Sequence, residues 1–172
     1  LGRREELRVV VNIGRRILEM GRIADRLARC ASRAGIELAR LELNMNERIM
    51  STAASALDRL RELRECGVKL MVDGFGTGRI ALERLRSLPL DGIGLDPAFV
   101  TRIEQDAGAR AICKSVISIA RAFELRSVAI GVETPTQLNF LREHRCDAVQ
   151  GRLFCAPQPI QYFHGTQAVA VA

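Results

Sequence analysis

Tryptophan is absent from this chain of 172 residues, tyrosine occurs once, and aromatic residues amount to only 4%. Any core is therefore aliphatic, and the interleaved aromatics expected of a nucleic-acid-binding face are missing. No stretch approaches the roughly 20 apolar residues of a membrane-spanning helix, and the opening residues do not read as a signal peptide. Because the first residue is Leu1 rather than Met, the chain is expected to be an excerpt of a longer polypeptide, with any membrane attachment upstream. No Cys-x-x-Cys pair occurs, and the cysteines are odd in number: Cys30, Cys66, Cys113, Cys146 and Cys155. That pattern argues against a disulfide framework and predicts buried thiols in a reducing compartment. His144 and Cys146 lie close together without further ligands nearby in sequence, which does not make a zinc site.

Arginine, by contrast, is abundant. The formal net charge is +6, and Arg3, Arg4, Arg8, Arg15, Arg16, Arg22, Arg26, Arg29 and Arg33 crowd the first third. Acids are spread throughout, so these residues read as solvated helical faces and no nucleic-acid partner is expected. The length suits one domain with a sizeable core. Residues 1–164 are assigned to that domain and 165–172 to a flexible tail.

The pattern centres on Val68–Gly78. A short apolar run, Leu70-Met71-Val72, stops at Asp73, and Gly74, Gly76 and Gly78 then alternate with Phe75 and Thr77. A buried strand that ends at a carboxylate and enters a glycine-rich turn is how α/β folds place charge at a site. Around it the chain alternates. Leu7–Asn12 reads as a strand, and Ile17–Ala34 as a helix stopped by Gly35. A second strand covers Ala39–Asn44, with the alternation of Leu41, Leu43 and Met45 running just past its end. Ser51–Cys66 is a helix closed by Gly67, followed by the strand Val68–Val72. Ile80–Leu88 is a short helix ended by Pro89, Gly92–Asp96 a strand, Gly108–Phe123 a strong helix and Ser127–Ile130 a strand. Thr134 caps a helix to about Glu143 with Pro135 at its first position, and Ala148–Gln150 is the last strand.

Six strand–helix units in alternation predict a parallel sheet with helical crossovers. Polar residues recur at the C-terminal ends of the strands: Asn12, Asn44, Asp73, Asp96 and Gln150. In a (β/α) barrel that face carries the chemistry. A doubly wound sheet would place its glycine-rich phosphate loop after the first strand, where this chain has Asn12-Ile-Gly-Arg. The barrel is the better reading.

Six motifs in order carry a resemblance: Val11-Asn12-Ile13, Leu41-Glu-Leu-Asn-Met-Asn-Glu47, Asp73-Gly-Phe-Gly-Thr-Gly78, Leu95-Asp-Pro-Ala-Phe-Val100, Gly131-Val-Glu-Thr134 and Val149-Gln-Gly-Arg-Leu-Phe154. Together they resemble the EAL family, from about Arg8 to Pro159. The resemblance implies a modified TIM barrel and a cyclic-di-GMP phosphodiesterase that uses two Mg²⁺ or Mn²⁺ ions. It further implies that the family's first two strands, with the Glu-Ala-Leu motif and a nucleotide-contacting arginine, lie outside this sequence. An open set of six strands would then be closed by upstream chain or by a partner.

Within the resemblance Asn12 matches a metal-binding asparagine and Asp73 the first of two aspartates, while Gly74 replaces the second. Asn44 replaces a metal-binding glutamate, and Glu47 matches a second glutamate that steadies a loop. Gly94 replaces a lysine that orients water, and Ile130 replaces another metal-binding glutamate. Two divalent ions roughly 4 Å apart need several carboxylates between them. These replacements give the expectation that the chain is not an enzyme and requires no cofactor, with Mg²⁺ relevant only to residual activity.

The resemblance then implies a cyclic-di-GMP receptor or a protein-interaction module in bacterial control of motility, cell cycle or biofilm, in the cytoplasm. Asn12, Asp73, Asp96, Glu133, Gln150 and Pro157 are the candidate nucleotide-binding residues, although Ala156 stands where an arginine is usual. Glu47, Gly74, Phe75, Gly76, Thr77 and Gly78 form a candidate loop for a homodimer, with Arg79 and Arg84 nearby reading as solvent-exposed helix arginines. The alternatives are a weak metal-dependent phosphodiesterase and a dimerisation scaffold indifferent to nucleotide.

Overall fold

A computed structural model describes residues 8–19, 21–47, 56–77 and 80–159. The chain divides into two compact units. One comprises the chain up to Asp73 and Gly78–Asp91; the other comprises Gly74–Thr77 and the chain from Gly92 onward.

The first unit holds β1 (Val9–Ile13), β2 (Leu41–Asn46) and, up to Asp73, β3 (Lys69–Phe75), which run parallel in chain order. The register pairs Asn12 with Asn44 and Asn46 with Asp73. Since side chains alternate across a strand, Leu43, Met45, Leu70 and Val72 share one face and are buried. The helices α1 (Arg15–Glu19), α2 (Ile23–Ala34), α3 (Ala56–Glu65) and α4 (Leu82–Ser87) supply Leu18, Ile23, Ala31, Leu60, Leu63 and Leu85 to the core. The core is aliphatic, as the composition requires.

Several boundaries differ from the sequence reading, most by a residue or two. The helix expected over Ile17–Ala34 is two helices, because Arg22 adopts a left-handed backbone (φ 61°) that no α-helix can continue through. The second strand begins at Leu41, after a 3₁₀ turn over Leu38–Arg40, so the alternation of Leu41, Leu43 and Met45 sets its bounds. The third strand continues past Asp73 to Phe75. The start of the helix expected at Ser51 and the tail expected at 165–172 lie outside the described residues. Arg22, Arg26, Arg29 and Arg33 lie exposed on or beside α2, the solvated face read from the sequence.

In the second unit, β4 (Gly92–Leu95), β5 (Arg126–Ile130) and β6 (Ala148–Gln150) are parallel and also in chain order. A short α5 (Pro97–Val100) precedes α6 (Ala107–Ala122), which buries Ala109, Cys113, Val116, Ile117 and Ala120. Helix α7 (Pro135–Glu143) starts in a capping box. The Thr134 hydroxyl accepts from Gln137 N, while Gln137 Oε1 accepts from Thr134 N and Glu133 N.

One device recurs in both units. Asp91, just before β4, accepts the Leu70 amide at 3.0 Å near the start of β3. Asp147, just before β6, accepts the Ser127 amide at 2.8 Å and its hydroxyl at 2.6 Å near the start of β5. Each acid fixes the register at the strands' N-terminal ends, away from the candidate chemistry.

The expectation of buried thiols needs correcting. Cys113 and Cys146 are buried, but Cys30, Cys66 and Cys155 are exposed. Cys30 sits among the outward residues of α2, Cys66 just past the last turn of α3, and Cys155 in irregular chain beyond β6, none of them on a face that packs. Burial, and secondarily the neighbouring Cys146, pushes the Cys113 thiol up to about 11.

Candidate functional site

The residues singled out in the first unit converge by register. Asn12, Asn44 and Met71 are aligned across β1, β2 and β3, with Asp73 two residues further along the same face. Strand alternation therefore puts Asn12, Asn44 and Asp73 on one side, at the C-terminal ends of their strands. Asn44 is only 7% exposed, and its Oδ1 has no hydrogen-bond partner among the described residues. A buried amide oxygen left unpaired costs about 1–3 kcal/mol, so the site keeps an acceptor at a stability cost. Asn12 is exposed and Asp73 half-buried.

Glu42 was not among the residues read as functional. It is buried (6% exposed) on the same face as Asn44, one alternation nearer the start of β2. Its signal in the sequence is an acid on the polar face of an alternating strand. Gly74, where the resemblance expects an aspartate, has φ 71°, a left-handed conformation that glycine adopts without strain.

Glu47 is 2% exposed, and its Oε1 accepts the Ile80 amide at 2.8 Å. Phe75 is 4% exposed. Glu47 thus ties the chain after β2 to Ile80, and Phe75 is buried at the glycine-rich turn. Gly76 has φ 109°, and a side chain there would press on Phe99, Ile112 and Val116. Thr77 is exposed, and Gly78 and Arg79 lie outside the described residues.

In the second unit, Asp96 follows β4 and caps α5, its Oδ1 accepting from Ala98 N at 2.8 Å. Asp96 N in turn donates to Phe75 O at 3.4 Å. Ile130 pairs with Gln150 across β5 and β6, and Gly94 is buried within β4. The Gln150 side chain is exposed, while its carbonyl accepts from Gly131 N and Val132 N at 2.8 and 3.0 Å. Glu133 is exposed and faces Arg152 at 3.8 Å, a residue within the quoted motif that the sequence reading assigned no role. Pro157 and Ala156 lie in exposed irregular chain beyond β6. The structure thus brings Gln150 beside Ile130 and Glu133 beside Arg152.

Among the described residues no three His, Cys, Asp or Glu side chains gather to hold a metal. The aligned oxygen donors are two amides and a carboxylate, Asn12, Asn44 and Asp73. Hard divalent cations accept such donors, and the unpaired Asn44 Oδ1 is the atom such an ion would satisfy. The donor set fits an oxygen-ligated ion.

The profile of the EAL domain family matches residues 2–157. The cyclic di-GMP phosphodiesterase NbdA of Pseudomonas aeruginosa is 40% identical over 157 residues, 91% of this chain and 20% of that protein. The cyclic di-GMP phosphodiesterase PdeR of Escherichia coli is 29% identical over 158 residues, 91% of this chain and 24% of that protein. The chain thus spans about a fifth to a quarter of these curated relatives. The solved PaMucR phosphodiesterase in complex with c-di-GMP superposes with a TM-score of 0.85 at 30% identity, covering 90% of this chain and 63% of that one. The fold is the α/β architecture of the EAL TIM-type barrel, represented here by six strand–helix units.

These likenesses overturn the expectation that the replacements at Asn44, Gly74, Gly94 and Ile130 make the chain a non-enzyme, since NbdA, PdeR and PaMucR are phosphodiesterases by name. The reason is physical. Asn44 is not a carboxylate, yet its buried amide oxygen is of the class that ligates hard divalent ions. The expectation that no cofactor is required falls with it.

Proposed function

Since this chain belongs to the EAL domain family, we propose that it provides six strand–helix units of a metal-dependent cyclic-di-GMP phosphodiesterase in a bacterial signalling protein. The observation that carries the reading is the buried, unpaired Asn44 Oδ1, on one face with Asn12 and Asp73. On this reading those three residues hold a divalent cation through amide and carboxylate oxygens. Such a cation, when bound, supplies an activated water and offsets charge on the phosphodiester. Glu47 holds the turn after β3 through Ile80, so that Asp73 is presented from a fixed backbone. Asp96 orders the start of α5, and Glu133 and Gln150 offer exposed polar groups at the ends of β5 and β6. The domain is taken to act in the cytoplasm, as the reading from sequence has it.

The test is incubation of the full-length protein with cyclic-di-GMP and Mg²⁺ or Mn²⁺, followed by chromatography for the linear dinucleotide. Product that disappears with chelation and in Asp73→Ala supports the reading. Binding without product in either metal, or no binding, overturns it.

A further inference from the structure

The first unit carries a second feature that hydrolysis does not use. The last turns of α3 and α4 and the segment that follows α4 enclose a cleft of about 520 Å³ lined by Arg61, Arg64, Glu65, Arg86, Leu88 and Pro89. Three guanidinium groups against one carboxylate leave it strongly positive. Local acids neutralise it poorly. Among the described residues Arg61 pairs only with the highly exposed Asp58 at 3.3 Å, and Arg64 lies 4.0 Å from Asp91, which already binds Lys69 at 3.0 Å. Arg86 forms no ion pair with a described residue. Exposed pairs of this kind contribute about 0–1 kcal/mol, so the guanidiniums are free to exchange partners.

The chemistry of the lining narrows the ligand. Both helices end at this cleft, so it contains no helix N-terminus and its guanidiniums alone would meet an anion. A compact polyphosphate seeks converging backbone N–H groups, and none is supplied by these helix ends. Guanidiniums spaced along a helix, Arg61 and Arg64 one turn apart, with Arg86 from α4 and an apolar border of Leu88 and Pro89, suit carboxylates spread along a chain with aliphatic residues between them. We propose that this cleft is a docking surface for an acidic, aliphatic-containing segment of a partner protein. It lies on the side of the first unit where β3 begins, because α3 ends at Glu65 and leads into that strand, whereas the Asn12, Asn44 and Asp73 donors sit towards C-terminal strand ends. Docking and hydrolysis are therefore separable.

The test uses the full-length protein and a short fluorescein-labelled peptide of repeated Glu-Glu-Leu, read by fluorescence anisotropy. Saturable binding is expected that weakens with added salt, is undetectable for a Lys-Lys-Leu peptide, and falls about tenfold or more in the double variant Arg64→Glu, Arg86→Glu. The control double variant Arg29→Glu, Arg33→Glu on α2 should bind as the parent does, which separates the cleft from the general attraction of a chain of charge +6. Arg86→Ala, a milder change at an exposed residue, should give an intermediate loss. Both cleft variants should keep the parental melting temperature and cyclic-di-GMP turnover. No binding to the parent overturns the proposal, as does equal loss in both double variants. Displacement of the peptide by inorganic tripolyphosphate at lower concentration than by unlabelled peptide also overturns it, and assigns the cleft to phosphate.

Discussion

The carboxylate of Glu47, at the end of β2, accepts the amide proton of Ile80 across the glycine-rich turn at 2.8 Å, and both residues are buried. The two are 33 residues apart in sequence, so one bond joins the end of β2 to the chain leading into α4. Glu47→Ala strands a buried N–H and is expected to cost about 1–3 kcal/mol. Glu47→Gln retains an acceptor oxygen and should cost less than about 1 kcal/mol. Urea unfolding of the two variants checks the order, and equal losses would show that the bond is not what Glu47 contributes.

Asn44 predicts a trade between stability and chemistry. Asn44→Leu removes a buried unpaired oxygen and is expected to leave stability unchanged or raise it by about 1 kcal/mol. The same change should lower metal-dependent turnover of cyclic-di-GMP at least about tenfold, since a donor is lost. Thermal melts in chelator, paired with turnover in Mn²⁺, give both readouts; unchanged turnover would remove Asn44 from the proposed metal set.

Gly151 predicts a steric failure. A methyl group there would lie 2.0 Å from Val132 O and 2.4 Å from Val132 N, both rigid backbone atoms. Gly151→Ala should therefore destabilise by about 3 kcal/mol or more, as overpacking against unyielding atoms does. A denaturant midpoint within error of the parent's would mean that the chain between Val132 and Leu153 shifts freely.

Asp106 predicts a pH effect with a definite sign. Hydrogen bonds from Ala109 N, then Gly108 N, hold its carboxyl below the ordinary value of 3.8. A depressed folded value means the cap contributes above the unfolded value and is lost as pH falls through the folded one. The first turn of α6 should thus be protected at neutral pH and fray only below about pH 3.8. Amide exchange at Ala109 and Arg110 across that range tests it, and Asp106→Ala should abolish the pH dependence there.

The thiols should divide by burial. Iodoacetamide at neutral pH is expected to label Cys30, Cys66 and Cys155 in the native protein and spare Cys113 and Cys146. Cys113, pushed up to about 11, holds almost no thiolate under those conditions. Mass spectrometry of native and urea-unfolded samples reads the difference; rapid native labelling of Cys113 would contradict its place in the core.

Much of this was legible in the chain. Alternation in Leu41-Glu-Leu-Asn-Met-Asn46 specifies a strand with one apolar and one polar face, and Thr134-Pro135 followed by Gln137 specifies a helix start. Both rest on neighbours within a few residues, where backbone geometry fixes which side chains share a face. The ordered motifs likewise sufficed for the family. What local pattern could not give was the split at Arg22, the outward placement of Cys30, and the roles of Asp91 and Asp147, each of which binds a residue some 20 positions away.

The enzymatic question divides along the same line. The sequence by itself determined which donors this chain owns: Asn12, Asn44, Asp73 and no second aspartate at Gly74. Only the tertiary structure decided that Asn44 and Asn12 share one register, that the Asn44 oxygen is buried and unpaired, and that Glu47 is spent on Ile80. The physical reason is that a residue's type sets what it can bond, whereas burial and strand register set what it has left to bond with.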